Sequence, residues 1–166
     1  IISTHTMIAT ASAISANGAV PVPVECGSDH LIDPESIIKE INSRTKCIMP
    51  TQLNGRTAKM DDICSIASEH GLKIIEDSAQ ALGSKYNGQN AGTFDVGGCI
   101  SFYPAKVLGC LGDGGMILCN DKNLYDKLIM MRDHGRDLIS GDVVLWGRNS
   151  RLDNLQAAFL NFQFNN

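Results

Sequence analysis

Apolar residues fall in short runs separated by polar, Gly-bearing stretches, and two kinds of run alternate along the 166 residues. KCIMP (46–50), LKIIED (72–77), GGCISFY (97–103) and MILCN (116–120) are near-continuous and of the length of buried strands. Between them lie segments with helical spacing. Met60, Ile63, Ile66 and Ala67 repeat at three- and four-residue intervals up to Gly71, which predicts a helix over 60–70. Small and apolar residues predict another over 6–17, stopped by Asn17-Gly18. Asp33-Pro34 is a capping residue followed by a proline at the first helical position, opening PESIIKEI. Asn120 or Asp121 caps a helix to about His134, ended by Gly135, and a last helix starts near Asp153. AVPVPVE (19–25) reads as a strand whose Pro21 and Pro23 assign it to an edge or an irregular position. A Gly- and Asn-bearing connection fills the stretch up to Asp95.

Strands alternating with helices through short loops predict an α/β fold of three layers, α/β/α, around a mostly parallel sheet. The two closely spaced runs on either side of Lys106 predict one hairpin-like return within it. Ile1-Ile2 reads as the tail of a strand already under way, and the last residues stop in a helical pattern, so the expectation is a piece of a longer protein.

Composition narrows the class. With 43% hydrophobic and 19% charged residues the chain is a folded globular one. Net charge of -4 and the lack of any Lys/Arg cluster leave no footprint for nucleic acid. No apolar run is long enough for a bilayer and the start has no basic segment of a signal peptide, so a cytoplasmic location without membrane partners is expected. Six scattered cysteines, with no CxxC pair, read as reduced core thiols, and no metal-ligand spacing stands out.

The chemistry-bearing residues sit where strands end. Pro104 cannot join a central ladder, so the strand before it stops and Lys106 lies just beyond, at the edge where open α/β sheets place ligands. On spacing alone Lys106 reads first as a solvated loop lysine between two strands. Asp77 closes LKIIED, and Glu76, by alternation, faces the other way and is structural. A carboxylate at one strand end and a lysine past another fit a pyridoxal phosphate site, with Gln80 three residues on and Ser101 as a phosphate ligand. No GxGxxG or GxxxxGK[ST] run supports another phosphate cradle.

These residues stand in stretches that resemble one family. MIATASAI (7–14), IIEDSAQA (74–81), SFYPAK (101–106), GDGG (112–115), RDHG (132–135) and NSRLDNLQAA (149–158) are similar, in order and spacing, to the DegT/StrS-type sugar aminotransferases, pyridoxal phosphate enzymes of fold type I. The resemblance covers nearly the whole chain. It implies that Lys106 is the Schiff-base lysine and proton shuttle and Asp77 the pyridinium partner. Gln80 would lie near the cofactor hydroxyl and Ser101 would bind phosphate. Asn149 would reach the phosphate of a neighbouring subunit, which implies a homodimer. Met7 stands where many members carry an aromatic ring that stacks on the cofactor, and its thioether can pack on the same face. Val107 replaces a common Asn. The implied reaction moves an amino group from an amino acid, glutamate expected, to a keto nucleotide-sugar. Residues 1–166 would be the central part of the cofactor-binding large domain, without the N-terminal phosphate loop or the C-terminal small domain. Two alternatives stay open: a nucleotide-sugar dehydratase of the same family, in which a His replaces the lysine, and a non-catalytic scaffold or regulatory fragment.

Overall fold

The computed structural model describes residues 1–165. Its first strand, β1 (Ile2–Ser3), is followed by helix α1 (Ile8–Ala16) and by β2 (Pro23–Val24), which pairs with β1 in parallel. Of the strand expected over 19–25, only these two residues form one. The reason is local: Pro21 and Pro23 have no N–H, and the segment serves as an acceptor, Val22 O from Ile2 N–H and Val24 O from Thr4 N–H.

Helix α2 (Pro34–Glu40) begins where Asp33 accepts hydrogen bonds from the backbone N–H groups of Glu35 and Ser36. Strand β3 (Cys47–Ile48) leads to α3 (Met60–Glu69), whose buried residues are Met60, Ile63, Ile66 and Ala67, the stripe expected from the spacing. Gly71, at φ +62°, turns the chain into β4 (Lys73–Asp77). The connection to Asp95 holds a small antiparallel hairpin, β5 (Lys85–Tyr86) and β6 (Gln89–Asn90). Asn87 and Gly88 both have positive φ, +48° and +84°, as a tight two-residue turn requires. Strand β7 (Gly97–Ser101) and β8 (Gly115–Cys119) form the expected antiparallel return around Lys106. Helix α4 (Lys122–Arg132), capped by Asp121, and α5 (Asn154–Phe164) complete the chain.

The sheet runs β3-β4-β7-β8, parallel except for β8, and the β1-β2 pair joins it through a parallel bridge between Ile2 and Met49. Alternation along β4 sorts its two faces. Ile74 and Glu76 are buried on the side of α2 and α3, where Ile37, Ile48, Met60, Ile63 and Ile74 make the main core. Each such side chain removed from water contributes roughly 2 kcal/mol. Ile75 and Asp77 point to the side of α1. A second cluster, Ile100, Phe102, Cys110 and Leu160, ties β7 and its following loop to α5.

The six cysteines are free, as expected, but they are not all core residues: only Cys110 is buried, and Cys99 is exposed. Cys99 alternates with the buried Ile100, so it shares the opposite sheet face with its cross-strand partner Ile117, which is also exposed. No helix among the described residues is long and apolar enough to cross a membrane.

Candidate functional site

The C-terminal ends of β4 and β7 carry Asp77 and Ser101, and Gln80 and Lys106 follow in the loops beyond them. These strands are hydrogen-bonded neighbours with Asp77 opposite Cys99, and Ser78 N–H donates to Cys99 O at 2.9 Å. Ser101 lies two residues beyond Cys99, hence on the same face as Asp77. The β4 end is held from its other side as well. Asp77 N–H donates to Pro50 O at 3.0 Å, and Gln52 N–H donates to Asp77 O at 2.8 Å.

Glu76 anchors this end from behind, as alternation predicts. It is buried, with Oε1 accepting from Phe94 N–H at 2.8 Å and Oε2 from Gln52 Nε2 at 2.7 Å. The Gln52 amide cannot turn over, because its own oxygen accepts from Ala58 N–H at 2.7 Å. Burial pushes the Glu76 carboxyl above its ordinary value, and the N–H donors of Gly92, Phe94 and Gln52 oppose that rise.

The Asp77 carboxylate is half-buried and held by both oxygens. Oδ2 accepts from Thr10 Oγ1 at 2.5 Å and Oδ1 from Ala79 N–H at 3.2 Å. Thr10 was not singled out by sequence reasoning. It is the one buried residue of α1 and stands one helical turn after Met7, inside the MIAT stretch. Met7 itself sits at the N-terminal end of α1, 68% exposed, with its carbonyl accepting from Thr10 N–H at 3.0 Å.

Gln80 is committed in part: its Oε1 accepts from Asn54 N–H at 3.1 Å and its carbonyl from Gly55 N–H at 2.9 Å. That fixes the amide orientation and leaves Nε2 as a donor. Ser101 Oγ accepts from Tyr103 N–H at 3.2 Å, so its hydroxyl proton remains for a ligand.

Lys106 is half-buried in a tight turn just past β7. Its N–H donates to Tyr103 O at 2.9 Å, and the turn is closed by Cys110 N–H donating to Phe102 O at 2.8 Å. Gly109 lets the closure happen, since a Cβ there would lie 2.5 Å from Pro104 O. The Lys106 amine has no hydrogen-bond or ion-pair partner among the described residues.

Asn149 is not brought to this edge by its own hydrogen bonds. It is exposed and bridges Asp133 beyond α4, in a segment also held by an ion pair between Arg151 and Asp133. His134, beside it, takes a positive φ of +59° and donates its N–H to Arg148 O.

The mixed α/β sheet thus carries a braced carboxylate at the end of β4 and a half-buried lysine in the turn after its neighbour β7. Comparison with known proteins gives the family and the fold. The DegT/DnrJ/EryC1/StrS aminotransferase family matches residues 1–166, and the chain belongs to that family. It is 45% identical over 162 residues to the dTDP-3-amino-3,4,6-trideoxy-alpha-D-glucose transaminase of Streptomyces venezuelae, covering 96% of this chain and 42% of that protein. The crystal structure of S. venezuelae DesV in complex with a ketimine intermediate superposes with a TM-score of 0.92 at 42% identity, over 99% of this chain and 44% of that one. NtdA from Bacillus subtilis, with the cofactor PMP bound, gives a TM-score of 0.86 at 34% identity, over 96% of this chain and 37% of that one. The chain therefore spans less than half the length of each of these proteins.

Proposed function

We propose that this chain is the central part of the cofactor-binding large domain of a pyridoxal phosphate-dependent aminotransferase that acts on a keto nucleotide-sugar, with an amino acid such as glutamate as donor. The observation that carries the reading is a carboxylate braced by two donors at the end of β4, with a half-buried lysine that has no acidic partner in the turn after the neighbouring strand β7.

The donor set suits pyridoxal phosphate. Asp77 has both oxygens oriented and acceptor capacity to spare, which suits a protonated ring nitrogen. Gln80 offers Nε2 to the ring hydroxyl, and Ser101 offers its proton to the phosphate. Met7, exposed at the N-terminal end of α1, would be the side chain offered to the ring face in place of an aromatic one. The cofactor, when bound, supplies an electron sink for the negative charge that develops at the substrate carbon.

Within this reading Lys106 Nζ holds the cofactor and takes up and returns the proton at the donor Cα. Asp77 keeps the ring nitrogen protonated, which maintains the sink. Asn149, exposed beyond α4, would reach the phosphate of a second subunit, so the reading includes a homodimer, with a cytoplasmic location as a separate part of the proposal. The nucleotide-sugar substrate rests on the relatives' chemistry, and the presence of Lys106 rather than His argues for amino transfer over dehydration.

Borohydride reduction with pyridoxal phosphate followed by peptide mapping tests the reading. A phosphopyridoxyl adduct confined to Lys106 supports it, and labelling scattered over other lysines refutes it. Lys106→Ala should abolish transamination of a keto nucleotide-sugar, and retained turnover would remove Lys106 from its role.

A further inference from the structure

Asp77 stands at the end of a line of hydroxyl groups. Thr10 Oγ1 donates to Asp77 Oδ2 at 2.5 Å, Thr6 Oγ1 lies 2.7 Å from Thr10 Oγ1, and Thr51 Oγ1 lies 2.8 Å from Thr6 Oγ1. Each hydroxyl carries one proton, and a carboxylate only accepts. Thr10 must therefore spend its proton on Asp77 and accept from Thr6, and Thr6 in turn must accept from Thr51. The direction of all three bonds follows from the charge at one end.

The three threonines come from separate parts of the chain: the turn before α1, α1 itself, and the stretch after β3. Thr51 is also bridged to Asp77 through the backbone, so the same two residues are joined by the sheet and by the hydroxyl line. Thr10 and Thr51 are 4% and 5% exposed, and Thr6 is half-buried. A valine has nearly the same shape and would fill each position, so packing does not require the hydroxyls. Successive donors pointing one way polarise each other, which strengthens the last bond of the line.

We propose that Thr51, Thr6 and Thr10 are positioning residues whose one-way hydroxyl line fixes the plane of the Asp77 carboxylate and so aims it as the acceptor for the ring nitrogen of bound pyridoxal phosphate. The proposal rests on the aminotransferase reading above. It extends the site to three residues that contact the cofactor only through Asp77.

The test is an equilibrium titration with pyridoxal phosphate, together with the absorption spectrum of the bound cofactor, which reports protonation of its ring nitrogen. Thr10→Val should weaken binding by roughly tenfold, the order expected for one hydrogen bond to a charged group, and should shift the spectrum. Thr10→Ser keeps the donor and should restore both to within about twofold. Thr6→Val interrupts the line without touching Asp77, and should cause a smaller loss of the same sign. A Thr10→Val protein with the wild-type spectrum and affinity overturns the proposal, as does a Thr10→Ser protein that behaves like the valine variant. If Thr10→Val does not fold, Thr6→Val decides, and an unchanged spectrum there is equally fatal. Wild-type protein that binds no pyridoxal phosphate would overturn the aminotransferase reading and this proposal together, whereas normal wild-type binding with silent threonine variants overturns this proposal alone.

Discussion

Gly109→Ala isolates how the loop presents Lys106. A Cβ at this position would lie 2.5 Å from Pro104 O, 2.8 Å from Pro104 C and 2.9 Å from Pro104 Cα. Carbon and oxygen that are not bonded rarely approach closer than about 3.3 Å, so the two arms of the turn must part by roughly 0.8 Å. The bond that crosses the turn there, Cys110 N–H to Phe102 O, is 2.8 Å long. Opening it by that amount takes it beyond hydrogen-bonding distance. An unsatisfied buried N–H costs about 1–3 kcal/mol, and forcing a methyl group into filled space adds about 1–3 kcal/mol. The expected loss is therefore about 2–6 kcal/mol, a large share of the stability of a typical domain. Urea denaturation measures it, and labelling with pyridoxal phosphate and borohydride shows whether Lys106 is still presented. Gly112→Ala is the control in the same loop, because its Cβ would meet nothing closer than Gln156 Nε2 at 3.4 Å. Gly109→Ala with stability within about 0.5 kcal/mol of wild type, and Lys106 labelled as before, would refute the argument.

Two further predictions concern acids away from the ligand. Asp33→Ala should cost about 1 kcal/mol at neutral pH by removing the cap of α2. The Ser36 hydroxyl, chiefly, holds the Asp33 carboxyl below its ordinary value of 3.8, so this contribution is present above that pH and lost as pH falls through the lowered folded value. A cost of Asp33→Ala that persists unchanged in strong acid would contradict the cap assignment. Glu76 has the opposite sign: burial raises it above the ordinary 4.5, the folded state holds the extra proton, and stability falls as pH rises from there through the folded value. Glu76→Gln does not titrate, so the stability of wild type relative to this variant should decline over the same range in urea titrations. A relative stability that grows with pH would refute it.

Much of this architecture is written locally. The α2 cap, the apolar stripe of α3, the runs that became β4, β7 and β8, and the opposite facing of Glu76 and Asp77 each depend on residues within a few positions of one another. The β5–β6 hairpin was equally local: Asn87-Gly88 carries the turn signal, but the flanking Lys85-Tyr86 and Gln89-Asn90 are too short and polar to read as strands. Two features misled. The apolar content of residues 19–25 suggested a longer strand than two prolines allow, and the apolar surroundings of Cys99 suggested burial although its face of the sheet is uncovered there.

The sequence by itself determined which residues end which strands, and so brought Asp77, Ser101 and Lys106 to notice, because strand period and proline chemistry act over neighbouring residues. Only the tertiary structure decided what holds them. Thr10 meets Asp77 across 67 positions of chain, and Thr51 meets Thr6 across 45. Such contacts depend on which strands become neighbours and which face each helix covers. No spacing along the chain encodes the meeting of two hydroxyls, since it follows from the packing of whole elements.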